Sequence, residues 1–176
     1  MDELWHVSGG TVTVRELALR TITTLRLRKP SRNDLAAIGG LIGAVLPTVP
    51  NRAVGEAPRV IWIGPDEWLI IGDNASSAAI EMAARDAAVA LCVRVGDGRC
   101  SFEVTGADAA ELLAKGTSLD LHPDVFTGDM SAMTLFAQVN AMIDRPPGLA
   151  GFRLIFDISL RGYVQTWFRE AVVEFT

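Results

Sequence analysis

Hydrophobic and polar positions alternate at the start of the chain. Between Ala18 and Arg28, Leu19, Leu25 and Leu27 fall on one face and Arg20, Arg26 and Arg28 on the other. That pattern predicts a half-buried strand over 17–28 with a basic outer face. Pro30-Ser31 then opens a helix. Ser31 is a natural cap, and Asp34 three residues on presents a carboxylate to the free backbone N–H groups. Its inner stripe is Leu35, Ile38, Ile42, Val45 and Leu46. Gly39, Gly40 and Gly43 interrupt it, each costing about 1 kcal/mol against alanine, so close packing is expected there. A loop rich in proline, from Leu46 to Pro58, leads to two β-rich runs, Arg59–Gly64 and Glu67–Gly72. Gly64-Pro65-Asp66 makes them a hairpin. Asp73, Asn74 and Ser76 offer caps for an alanine-rich helix to Val89, with Ile80, Ala83, Ala84, Ala87 and Ala88 inside, and Leu91–Val95 is the next strand. Strand, helix, strand, strand, helix, strand is the split βαβ order.

The order then starts again. Arg99–Val104 reads as a strand, and Thr105 and Asp108 repeat the cap spacing of Ser31 and Asp34. Leu112 and Leu113 supply the buried side of a helix, Lys115 its last turn and Gly116 its stop. After a connection over 117–129, strict alternation of Met133, Leu135, Ala137, Val139, Ala141 and Ile143 predicts one long strand with a wholly apolar face. Arg145-Pro146-Pro147-Gly148 turns the chain into a return strand, Phe152–Ile158. Ser159 caps a last helix with the stripe Leu160, Tyr163, Val164, Trp167, Phe168 and Ala171. The expected class is α+β: two ferredoxin-like repeats, antiparallel sheets with helices on one face. The boundaries are 1–95 for a βαββαβ unit and 96–176 for a βαββα unit, in one compact two-lobed body.

Composition narrows the class of function. In 176 residues, 49% hydrophobic and 21% charged, there is enough apolar material for a core and no signature of disorder or a disulfide scaffold. A net charge of -5 disfavours a basic nucleic-acid binder. The longest apolar run, Leu35–Leu46, is 12 residues and short of the ~20 a membrane span needs. No secretory signal precedes it, so a cytoplasmic protein is expected. Charge is segregated, however. Residues 1–58 carry +2 and 59–176 carry -7, with Arg15, Arg20, Arg26, Arg28, Lys29 and Arg32 crowded together. The basic strand face is either a docking face for an acidic partner or a solvated, charge-protected edge.

Candidate chemistry is thin. Gly96-Asp97-Gly98 follows a strand but precedes another, so it lacks the helix N-terminus that holds phosphate, and a tight turn is expected. Cys92 and Cys100 fit no metal spacing and read as reduced core thiols. His6 lies in an N-terminal stretch expected to be mobile. Asp120, His122 and Asp124 share a loop without a second histidine or cysteine, which is weak support for a metal. Trp62 and Trp68 on one hairpin could form a wall for a flat ligand or pack the core. No catalytic, cofactor-binding or metal-ligating set emerges.

Two stretches carry a resemblance. Gly64-Pro65-Asp66-Glu67-Trp68-Leu69-Ile70 resembles a signature of the gamma subunit of heterotetrameric sarcosine oxidase, as does the sequence from Gly98 to Phe126. The most specific part is Leu113-Ala114-Lys115-Gly116 followed by Leu119-Asp120-Leu121-His122-Pro123. Thr134, Arg145 and the helix from Ser159 to Trp167 fit the same layout, so the resemblance spans residues 15–174. Thr117 stands where that family usually has cysteine, and Met133 where glutamine is common. The resemblance implies a fold related to the folate-binding domain of aminomethyltransferases. It implies a non-catalytic subunit of a complex that demethylates sarcosine oxidatively to glycine, yielding hydrogen peroxide and, with tetrahydrofolate, methylene-tetrahydrofolate. FAD, FMN, NAD and tetrahydrofolate would lie on other subunits, and the partners would be alpha, beta and delta subunits. This chain would pack against the folate-binding part of the alpha subunit. The candidate interface residues are Arg20, Arg26 and Arg28 on the basic strand, and Lys115, Gly116, Asp120, His122 and Pro123 in the long connection. The alternative is a free-standing, aminomethyltransferase-like folate-binding protein, for which Asp97 and Glu103 are the available carboxylates.

Overall fold

A computed structural model describes residues 4–18, 21–72, 78, 81–82 and 90–175. These form two antiparallel sheets with a few helices, an α+β architecture. The chain divides into a continuous unit, residues 20–97, and a discontinuous one, residues 1–19 with 98–176.

The continuous unit holds β3 (Thr21–Leu27), α1 (Arg32–Ile42), β4 (Ala53–Val54), β5 (Arg59–Gly64), β6 (Glu67–Gly72) and β7 (Ala90–Arg94). Its sheet runs β4-β5-β6-β3-β7. The first strand follows its predicted alternation over residues 25–28, where Leu25 and Leu27 are buried and Arg26 and Arg28 exposed, but Ile22, on the same side as Arg26, is buried. The cap is also as expected. Ser31 Oγ accepts from the Asp34 N–H at 3.2 Å, and the Asp34 carboxylate accepts from the Ser31 N–H at 2.7 Å. Ile38, Ile42 and Leu46 pack with Leu25, Leu27, Val60, Trp68 and Ile70 in one apolar core. Trp68 sits at its centre, its indole N–H donating to the Pro47 carbonyl at 2.7 Å. Trp62 stands opposite Trp68 in the ladder and packs against the same core, as the packing reading requires. The helix is shorter than its stripe suggested. Gly43 adopts a left-handed conformation (φ 72°) and ends it, so Val45 turns outward. Of the helix expected over 73–89, only residues 78, 81 and 82 are described, and these are helical.

The discontinuous unit holds β1 (His6–Gly9), β2 (Val12–Glu16), β8 (Arg99–Gly106), α2 (Ala109–Ala114), β9 (Ser131–Phe136), β10 (Val139–Asp144), β11 (Gly151–Asp157) and α3 (Arg161–Ala171). Its sheet runs β1-β2-β8-β11-β10-β9. The division at 95 therefore needs correction at the N-terminus. Val12–Glu16 pairs with Phe102–Gly106, and β1 pairs with β2, so both strands belong with the C-terminal half. His6, expected in a mobile stretch, opens an edge strand. The two sheets share one pattern: β5-β6-β3-β7 corresponds to β10-β11-β8-β2. The repeat is real, but the fourth strand of the second unit comes from the start of the chain.

Three local expectations fail for identifiable reasons. The long strand through Ala137 is a hairpin, with Ala137 and Gln138 at positive φ (47° and 68°) and Phe136 paired with Val139. A two-residue turn reverses which parity faces the core. Val139, Ala141 and Ile143 point in, while Met133 and Leu135 are 58% and 59% exposed. Asp108 makes no cap hydrogen bond to α2; instead it accepts from the Thr11 hydroxyl, tying the helix to the β1–β2 hairpin. The cap before α3 is Asp157, which accepts from both the N–H (3.0 Å) and the hydroxyl (2.7 Å) of Ser159. The stripe on α3 holds except at Tyr163, which is exposed and donates its hydroxyl to the Ala137 carbonyl at 2.7 Å. Val164 and Phe168 are buried, and Phe168 packs with Phe102 and Phe136 at ring separations of 5.8 and 5.6 Å.

Candidate docking surfaces

The basic corner lies where β3 passes into α1. Arg26 and Arg28 leave the chain on the side opposite Leu25 and Leu27, and Lys29 (φ 49°) turns the chain so that Arg32 begins the helix. All four side chains are exposed, and none makes an ion pair among the described residues. Arg20, grouped with them from sequence, lies outside the described residues.

The Lys115–Pro123 segment is tied down from within. Lys115 Nζ pairs with Glu174 at 2.7 Å, donates to the Ala171 carbonyl at 3.3 Å and lies 5.1 Å from the Phe175 ring centroid. It thereby neutralises the C-terminal end of α3. Gly116 is required by packing: a Cβ there would come within 2.6 Å of the Phe136 ring. Its carbonyl accepts from the Ala137 N–H at 2.8 Å, fixing the β9–β10 turn. Beyond it, Asp120 caps the His122 N–H at 2.9 Å, and His122 Nδ1 accepts from the Asp124 N–H at 3.3 Å. Asp120, His122 and Pro123 are exposed, whereas Leu121 and Phe126 anchor the loop in the core. Thr117 Oγ1 accepts from the Leu119 N–H at 3.3 Å and stands 3.4 Å from the Thr134 hydroxyl.

One polar group was visible in the sequence only as a lone carboxylate. Glu103 is buried, and each of its oxygens takes a guanidinium: Arg15 at 2.7 Å and Arg153 at 3.2 Å. Burial pushes its carboxyl up, but the hydrogen bonds and charges of the two arginines outweigh that and hold the pKa below its ordinary value. Both oxygens are thus engaged within the chain. The signal was the alternation of polar residues on β8 and β11, which places Glu103 opposite Arg153 in register. Asp97, the other candidate carboxylate, is exposed in a single 3-10 turn, Gly96–Gly98, that runs straight into β8. No helix begins there to hold a phosphate.

Burial pushes both thiols up to about 11, Cys92 and Cys100 alike, so neither is an activated nucleophile. Among the described residues no group of three or more His, Cys, Asp or Glu side chains is placed to hold a metal ion. No helix among them is long and apolar enough to cross a membrane.

The chain matches the model of the sarcosine oxidase, gamma subunit family over residues 30–174. It is 28% identical over 171 residues to a sarcosine oxidase subunit gamma of Corynebacterium sp. (strain P-1), an alignment covering 96% of this chain and 83% of that protein. In structure it is similar to a chain of the heterotetrameric sarcosine oxidase from Corynebacterium sp. U-96 in complex with pyrrole 2-carboxylate. The TM-score is 0.86 at 25% identity, over 96% of this chain and 87% of that one. The fold also matches glycine cleavage system aminomethyltransferase T from Bartonella henselae, with a TM-score of 0.62 at 14% identity, over 92% of this chain and 46% of that one.

Proposed function

Because the chain belongs to the sarcosine oxidase gamma subunit family, we propose that it is the gamma-type subunit of a heterotetrameric, sarcosine oxidase-like flavoenzyme. The observation that carries this reading is the likeness along 96% of the chain to one subunit of a heterotetramer. The proposed partners are alpha, beta and delta subunits, in the cytoplasm. FAD, FMN, NAD and tetrahydrofolate would be held by those subunits. The assembly would oxidise the N-methyl group of sarcosine to release glycine, with hydrogen peroxide formed and the one-carbon unit passed to tetrahydrofolate.

This chain's own part is structural. Its buried Glu103 carboxylate is committed to Arg15 and Arg153, its buried Glu16 carboxylate to Arg161 and Gln165, and its thiols are held protonated. It would pack against the folate-binding part of the alpha subunit. The test is gentle purification of the tagged chain from its own host, with the co-purifying bands identified and a visible absorption spectrum taken. A flavin spectrum together with two large subunits is the expected result. A colourless single band overturns the reading. Titration of that band with tetrahydrofolate would then decide for the free-standing folate-binding alternative.

A further inference from the structure

From Ala36 onward α1 is apolar on both sides. Its inner side, Ile38, Gly39 and Ile42, packs against the sheet of the continuous unit. Past its polar first turn, Arg32–Asp34, its outer side presents Ala36, Ala37, Gly40 and Leu41 to solvent with no polar residue among them. Just past the cap, Val45 and Val49 are also outward. Leu41, Val45 and Val49 are 56%, 70% and 57% exposed. A helix apolar all round is normally buried on every side. A Cβ on Gly40 would meet nothing within 4 Å, so another surface could approach the backbone closely there.

The charge at the other end of this face is equally incomplete. Arg28, Lys29 and Arg32 gather at the N-terminal end of α1, where the helix dipole already favours anions. Asp34, in the capping box, is the only acid between Glu16 and Glu56. Cations at that end repel the helix dipole unless carboxylates from elsewhere face them.

We propose that the outer face of α1, from Arg28 to Val49, is the seat of the alpha subunit, which meets it with an apolar ridge edged by carboxylates. This rests on the gamma-type reading above and specifies where that contact lies. Complementarity of charge selects this occupant over a second copy of the chain paired through the same face. In a self-pairing the basic cluster would meet either itself or the acid-free stretch from Leu41 to Val49, and neither supplies a carboxylate.

The test is co-expression of the tagged chain with its host's alpha, beta and delta subunits, measuring alpha subunit recovered per tagged chain. Leu41→Asp should lower recovery about tenfold, as loss of a central apolar anchor does. The pair Arg28→Glu and Arg32→Glu should lower it several-fold and abolish its dependence on salt; it changes only exposed side chains, so it reports even if Leu41→Asp accumulates poorly. Thr166→Asp on the outer face of α3 is the control and should assemble normally. If wild type assembles and both α1 variants assemble as well as the control, the proposed seat is wrong while the gamma-type reading stands. If wild type recovers no companion subunit, the gamma-type reading falls and the seat with it. If the isolated wild-type chain is a dimer that Leu41→Asp converts to monomer, the occupant is a second copy and the proposal is overturned.

Discussion

α1 and α3 are both eleven residues long, and each lays one side on the core of its own antiparallel sheet. Their outer sides differ. α3 shows water Arg161, Thr166, Arg169 and Glu170 beside Tyr163, whereas α1, past its polar first turn, shows it Ala36, Ala37, Gly40 and Leu41. α3 buries Val164 and Phe168 and needs nothing further. It is the more conventional helix, with a polar side that water satisfies. The inner side of α1 alone explains its place in the fold, but leaves its outer side without a reason in the isolated chain. Two helices of one length, in two copies of one sheet pattern, thus separate a scaffold role from a docking role.

The comparison can be broken first at the core of the scaffold helix. Phe168→Ala removes a ring packed against Phe102, Phe136 and Trp167, and should cost about 3–5 kcal/mol in a denaturant titration. A loss below 1 kcal/mol would mean that α3 is not the scaffold. Glu103→Ala should cost about 3 kcal/mol, because it strands the buried Arg153 guanidinium. The same group predicts a pH effect. Its folded pKa lies below the ordinary 4.5, so its contribution is complete above that value and is lost as pH falls through the lowered one. Melting curves of wild type and variant should therefore converge in acid, and curves that stay parallel down to that range would exclude this assignment.

Smaller changes sharpen the contrast. Gly116→Ala should destabilise by about 2 kcal/mol through its clash with the Phe136 ring, read as a lower Tm. Ser31→Ala should cost about 1 kcal/mol by removing the capping box of α1, which chemical denaturation followed by circular dichroism will register. The neighbouring glycines of α1 should then diverge. Gly40→Ala should stabilise the isolated chain by about 0.5–1 kcal/mol, because its Cβ enters open space in a helix. Gly39→Ala should destabilise it, because a Cβ there would lie 2.8 Å from the Ala44 carbonyl. Equal shifts of Tm in the pair would remove the distinction between the inner and outer sides of α1.

Much of this was legible because local chemistry and global packing agree. The Ser31–Asp34 box, the hairpin through Pro65-Asp66 and the α3 stripe were each written within a few residues. The turn at Ala137–Gln138 was not, because neither residue belongs to the usual positive-φ set and the odd-numbered apolar alternation runs unbroken through it. That alternation therefore predicted the wrong face for Met133 and Leu135. The pairing of β2 with β8 was hidden by its range: Val12 meets Gly106, 94 positions later, and only the glycine's φ of 117° lets the strands approach, since a Cβ would sit 2.1 Å from the Thr11 carbonyl. The basic corner was visible as composition, while the candidates Lys115 and Gly116 proved to have internal partners. A family motif and a helix end draw on the same residues, and only the coordinates show what each side chain touches.

The borrowed strand has a consequence for how the protein is made. Residues 20–97, a compact unit, leave the ribosome while β2 has only β1 to pair with and its other edge still waits for β8. At a synthesis rate of about 5–20 residues per second, the wait for Arg99–Gly106 is on the order of ten seconds. Throughout that interval Val12 and Val14 sit on a nascent hairpin with one free edge, the species most open to a wrong partner. Slowing translation between residues 20 and 97 would lengthen that exposure and should lower the soluble yield, although the finished fold is unchanged.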